Sequence, residues 1–148
     1  MRFKTKLKGV LAALVVSTAG ISITQRIYAA RPFWVTASPT QVQLQEDYRQ
    51  YNSGWFAGDL PDNVIVKYST APDRPDTMGL TEVENSHFVI YIDPRYHAHN
   101  RKAAEVTLLH EMCHIRVWDV TEPGDEHGAP WKACMLGLAE NGAFDDLW

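Results

Sequence analysis

The run His110-Glu111-Met112-Cys113-His114 constrains this chain more than any other stretch. Residues four apart on an α-helix lie one turn apart on the same face. Two imidazoles so placed can share one metal ion at roughly 2.0–2.1 Å, the distance zinc takes from nitrogen ligands. The glutamate directly after the first histidine is then held beside the metal without being a ligand. From there it can take a proton from the attacking water. The flanks suit a helix: no Pro or Gly occurs from Asn100 to Val120. Val106, Leu109, Cys113 and Val117 recur at helical spacing and are expected to bury one face.

A catalytic zinc ordinarily has three protein ligands and one open position, so a third ligand must come from outside the helix. His127 fits best. It follows the turn-rich Glu122-Pro123-Gly124-Asp125-Glu126 and precedes a helix expected over 130–141, with Pro130 suited to its first turn. Gly128 is expected to let the backbone pass close to the metal helix. Glu140 on that last helix, and Asp119, Asp125 and Glu126 in the connection, are rival third ligands.

The remaining chain reads as a compact α+β domain. Ser38-Pro39-Thr40-Gln41 has the form of a helix start, with Ser38 as N-cap and Gln41 closing a capping box. Leu44, Tyr48, Tyr51 and Trp55 follow as one apolar face. Gly54 and Gly58 are expected to break this helix, and Asp59-Leu60-Pro61-Asp62-Asn63 to turn. Strands are expected over 64–68, 77–82 and 87–92, with Gly79 admitting a close neighbour. The strand nearest the metal helix offers an edge to an extended peptide.

In this order the pieces resemble the SprT-like zinc metalloproteases. The likeness rests on Tyr51-Asn52-Ser53-Gly54-Trp55-Phe56-Ala57-Gly58-Asp59-Leu60-Pro61 and on the strands around Met78-Gly79-Leu80 and over 87–92. It continues in Thr107-Leu108-Leu109-His110-Glu111-Met112-Cys113-His114 and in His127-Gly128-Ala129-Pro130-Trp131-Lys132. Trp131 stands where the family usually has Phe. The likeness covers roughly residues 41–141. It implies a zincin-like domain with an N-terminal helix, a small three-stranded sheet, the HExxH helix and a C-terminal helix. It also implies a Zn2+-dependent peptidase with His110, His114 and His127 as zinc ligands and Glu111 as catalytic base. Some eukaryotic relatives cleave proteins crosslinked to DNA. With two cysteines, no zinc-ribbon cluster, no long tail after the last helix and an apolar leader, this sequence points away from such substrates.

That leader is residues 1–30. Arg2, Lys4, Lys6 and Lys8 precede an uncharged, mostly apolar run over 9–24, and small residues follow. The layout is that of a secretory signal; an uncleaved membrane anchor is the competing reading, and membrane contact is expected only through this segment. The domain proper is then 31–148. The leader's five charged residues are all basic, so nine Lys and Arg remain against eighteen Asp and Glu, a balance of −9. So acidic a domain repels phosphate backbones, which makes nucleic acid an improbable partner, a small patch at Arg95, Arg101 and Lys102 aside.

Cys113 lies about 100° round the helix from His114 and is expected to point into the core rather than at the metal. Both it and Cys134 are expected as small buried hydrophobes; the competing reading is a disulfide from the metal helix to the last helix, which an exported location permits. His87 is expected at a strand edge. Tyr96, His97, His99 and Arg116 are candidates for a hydrogen bond to the oxyanion of a scissile carbonyl. Asp119, Glu122, Asp125 and Glu140 are candidates to orient the imidazoles. The function expected is a zinc metalloendopeptidase acting on flexible or unfolded polypeptide. A non-catalytic zinc-binding adaptor, and an intracellular protease acting on DNA-associated proteins, are the alternatives.

Overall fold

Two overlapping capping-box patterns compete for the start of helix α1 (Gln41–Trp55), and the later one wins in the computed structural model, which describes residues 38–146. Thr40, not Ser38, is the N-cap. Its hydroxyl accepts from the Gln43 N–H at 3.2 Å, and the Gln43 side chain accepts from the Thr40 N–H at 2.9 Å. Gln41 is drawn elsewhere: its side chain donates to the Val66 carbonyl and accepts from the Tyr68 N–H at 2.7 Å. One turn on, Gln45 donates to the Val64 carbonyl at 3.0 Å and accepts from the Val66 N–H at 2.9 Å.

Leu44, Tyr48 and Tyr51 are buried along α1, as their spacing requires. Gly54 does not break the helix; the chain turns at Ala57 and Gly58, both with positive φ. Asn52 locks that turn from inside the helix, donating to the Leu60 carbonyl at 2.8 Å and accepting from the Leu60 N–H at 3.0 Å. The Tyr48 hydroxyl adds a bond to the Pro61 carbonyl at 2.7 Å.

Three strands follow: β1 (Ile65–Lys67), β2 (Gly79–Glu84) and β3 (His87–Ile92). The sheet order is β1-β3-β2, with β1 parallel and β2 antiparallel to β3. Strand β2 runs two residues past its expected end because the hairpin turn is Asn85-Ser86. Both residues have positive φ, as two-residue hairpin turns of type I′ require. Gln41 and Gln45 cover the outer edge of β1. Strand β2 has a strand neighbour on one side only among the described residues. Val66, Ile90 and Ile92 face the main core, while Val89 and Tyr91 gather a small cluster with Ala71 on the other face.

Helices α2 (Pro94–His97), α3 (Arg101–Arg116) and α4 (Ala129–Glu140) complete the α+β domain, with a 3-10 turn at Trp118–Val120. Asn100 caps α3 by accepting from the Ala103 N–H at 3.0 Å. Helix α3 buries more than the single face expected: Ala104, Leu108, Met112 and Ile115 join Leu109, Cys113 and Val117, while Val106 is half-buried. The sheet, α1 and α4 all pack against it. Arg101 fastens α3 to α1, pairing with buried Asp47 at 2.7 Å and with buried Glu105 at 2.9 Å. Arg95 pairs with buried Asp93 at 2.6 Å. Two of the three cations read as a basic patch are therefore committed to carboxylates.

The cysteines overturn the preferred reading of two buried thiols. Cys113 and Cys134 form a disulfide, with 5.8 Å between their Cα atoms. Cys113 is fully buried, as expected, but the neighbour it faces is α4, and Cys134 lies one turn beyond Trp131 on the side of α4 that meets α3. Among the described residues no helix is long and apolar enough to cross a membrane. The leader over 1–30 lies outside the described residues.

Candidate metal centre

Helix α3 places the rings of His110 and His114 one turn apart. The third ring comes from the connection to α4. Gly124, with φ +87°, starts a tight reversal; the Asp125 N–H then donates to the Glu122 carbonyl at 3.0 Å and the Gly128 N–H to the Asp125 carbonyl at 2.9 Å. That reversal brings His127 back over α3. The reason for Gly128 differs from the one expected: a Cβ there would lie 2.3 Å from Asp125 Oδ2, so the glycine serves the turn itself rather than an approach to the metal helix.

The three rings converge. His110 Nε2 lies 3.2 Å from His114 Nε2 and 3.0 Å from His127 Nε2. Among the described residues, His110, His114 and His127 form the one group of three His, Cys, Asp or Glu side chains able to hold a metal ion, with ligand atoms all within 4.8 Å of one another. Nitrogens bound tetrahedrally at roughly 2.0–2.1 Å stand about 3.3 Å apart, so the observed spacing fits a zinc-sized cation. With ring protons on Nδ1, three lone pairs face a common point; one cation satisfies all three, whereas a bridging proton serves only two. Burial, and then the charge of the neighbouring histidines, holds His110 down to about 4. Burial and His127 do the same for His114, to about 4, against a small opposing pull from Glu126. Both rings are therefore neutral near pH 7, the form a metal ligand requires.

Trp131 closes one side. Its ring lies 4.6 Å from that of His110, 5.7 Å from His114 and 4.5 Å from His127, centroid to centroid. Of the rival ligands, neither Glu140, Asp119, Asp125 nor Glu126 joins the group of three.

Glu111 faces the sheet. It is 4% exposed, and Oε1 lies 4.0 Å from His110 Nε2. The other oxygen, Oε2, accepts from the Thr81 hydroxyl on β2 at 2.9 Å, and that hydroxyl also lies 3.1 Å from the Glu111 carbonyl. Burial pushes the carboxyl up to about 7, with the Thr81 contacts pulling the other way. Gly79 admits the close neighbour expected of it: a Cβ there would lie 2.5 Å from Thr107 Cγ2 and 2.6 Å from Glu111 Oε1. Only glycine lets β2 come this near to α3. Thr81 escaped the sequence analysis because it lies thirty positions before Glu111, and no local pattern marks it.

His97 does not belong to the centre. It is fully buried, with Nδ1 2.7 Å from the Asp93 carbonyl and Nε2 3.0 Å from the Thr107 hydroxyl, so it ties α2 to α3. Arg116 pairs with Asp59 at 2.6 Å.

A family model described as the SprT-like family matches residues 44–145. The chain belongs to the SprT-like family. The match spans α1 from Leu44 on, the sheet, α3 and α4, so the converging histidines and Glu111 all fall inside the SprT-like domain. No curated protein matches the chain.

Proposed function

We propose that this SprT-like protein is a zinc-dependent endopeptidase in which His110, His114 and His127 hold Zn2+ and Glu111 is the general base. The observation that carries this reading is the convergence of three imidazole nitrogens beside one buried carboxylate. Bound zinc would supply an acidified water and a positive charge to polarise the scissile carbonyl. The chain's own part is to handle the proton. Glu111 takes it from the attacking water on Oε1, the oxygen nearer the triad, while Thr81 occupies Oε2. A carboxyl whose proton affinity burial sets to about 7 can accept that proton and return it to the leaving amine near neutral pH.

The substrate is flexible or unfolded polypeptide, which can lie in extended form along the edge of β2 that has no strand neighbour among the described residues. A mature domain of net charge −9, whose Arg95 and Arg101 are engaged with carboxylates, argues against a nucleic-acid partner. Export, or anchoring through the N-terminal segment, agrees with the disulfide, since such bonds persist in oxidising compartments. A non-catalytic zinc adaptor gains nothing from Glu111, whose buried carboxylate opposes folding, and structural zinc sites usually have four protein ligands.

The test is zinc analysis of the purified protein together with cleavage of an unstructured protein. The expected result is about one zinc per chain, cleavage abolished by chelator and restored by zinc, and a Glu111→Gln variant that keeps zinc and does not cut. A Glu111→Gln variant as fast as the parent removes Glu111 from the reaction.

A further inference from the structure

Trp118 and Val83 are large apolar side chains left 43% and 49% exposed. Single exposed hydrophobes are ordinary; the placement of these two is not. Trp118 opens the 3-10 turn that follows α3, two residues past the last helical residue, Arg116, and four past His114. Its ring meets Phe88 edge-on at 5.2 Å. Phe88 pairs with Val83 across the β2–β3 hairpin. Val83 is two residues past Thr81 on the same strand, and so shares the face on which Thr81 holds Glu111.

The β2–β3 hairpin therefore meets the segment from α3 to its following turn twice in the same order: Thr81 on Glu111, then Phe88, the cross-strand partner of Val83, on Trp118. Val83, Phe88 and Trp118 thus form a partly exposed apolar patch next along the hairpin from the Thr81–Glu111 contact. From Thr81 to Val83 the strand advances about 7 Å, which an extended chain laid along β2 at about 3.3 Å per residue covers in about two residues.

We infer that Val83, Phe88 and Trp118 form a side-chain subsite beside the cleavage centre, which takes a bulky apolar residue of the substrate about two to four positions from the scissile bond. The inference rests on the reading of Glu111 and the triad as the cleavage centre. The occupant follows from continuity with that centre and from the edge of β2 that has no strand neighbour among the described residues. A polypeptide added to that edge alternates its side chains between the two faces of the sheet, and the one beside Val83 on the α3 face meets Val83 and Trp118. The opposite face there is polar: Glu84 accepts from Lys67 Nζ at 2.9 Å, and Lys67 also reaches the Tyr91 hydroxyl at 2.9 Å. The apolar requirement therefore falls on one face of the bound strand.

Two measurements test it. In the first, a mixture of unstructured peptides is cleaved and the products are sequenced by mass spectrometry. Leu, Phe and Trp are expected to be enriched about tenfold over Ser at one position two to four residues from the cut, the scale of a single apolar pocket. In the second, the zinc-loaded Glu111→Gln variant binds a fluorescent peptide carrying Leu at that position about tenfold more tightly than its Ser counterpart. Adding Trp118→Ala, or Val83→Ser at its half-exposed strand position, collapses that ratio while zinc content stays the same.

Equal binding of the Leu and Ser peptides by the Glu111→Gln protein overturns the subsite. So does a Trp118→Ala variant that keeps the preference but loses a concentration-dependent dimer in sedimentation, since a second copy then covers the patch. Failure of the underlying reading looks different: cleavage is absent or indifferent to chelator while the two peptides are still told apart in binding.

Discussion

Replacing Glu111 by Gln makes the folding stability of the metal-free protein report on the buried carboxyl. In the folded chain that carboxyl is raised from 4.5 to about 7 by burial; unfolded, it returns to the ordinary value. Between those values the folded chain holds a proton that the unfolded chain has lost, so stability falls as pH rises. The stabilising contribution is complete below about pH 4.5 and gone above about pH 7. At about 1.4 kcal/mol per pH unit, the loss is about 3 kcal/mol. His110 and His114 act in the opposite sense. Held down to about 4, they withdraw stability as pH falls below 6.5. The parent's own pH curve mixes both effects; the difference between parent and Glu111→Gln cancels the histidines. In chelator, urea unfolding followed by circular dichroism should show the variant gaining about 3 kcal/mol on the parent between pH 4.5 and pH 8. Added zinc should narrow the gap, because a nearby cation favours the carboxylate. A difference constant within roughly 0.5 kcal/mol across that range would mean that Glu111 is not desolvated as described, and the proton-handling role built on it would fall.

Thr81→Val deletes the hydroxyl 2.9 Å from Glu111 Oε2; a hydrogen bond to a charged group is worth about 1.5–3 kcal/mol. kcat should therefore fall about 10- to 100-fold with KM and zinc content unchanged, and Thr81→Ser should recover most of it in steady-state assays. Gly79→Ala puts a Cβ 2.5 Å from Thr107 Cγ2 and 2.6 Å from Glu111 Oε1. It should lower stability by about 1–3 kcal/mol in urea titration, and a neutral result would show that β2 can move off α3 freely. The Cys113–Cys134 bond closes a segment of 21 residues that carries His114 and His127. Replacing both cysteines by Ala should lower stability by about 3 kcal/mol and weaken zinc retention against a competing chelator, both read on the same protein. His127→Ala should abolish zinc binding by the purified protein, as seen by metal analysis.

The sequence by itself determined the metal helix, because four-residue spacing and an apolar period suffice to place two imidazoles on one side of α3. It also pointed to the α+β class and favoured His127, whose turn-rich approach and following helix are local features, while leaving Glu140, Asp119, Asp125 and Glu126 open until the fold brought the three rings together. Tertiary structure decided what depends on elements meeting across the fold. Gln41 is a bridge to β1 rather than a capping residue because β1 lies beside α1, and only then does Thr40 become the N-cap. Cys113 has a partner because α4 packs on α3 with Cys134 toward it. Glu111 becomes a buried carboxyl held by Thr81 because a glycine at position 79 lets a distant strand press against the helix. Helical and turn periodicities act over a few residues and are written in order along the chain; desolvation and hydrogen bonding to a remote strand arise only when the sheet closes over the helix.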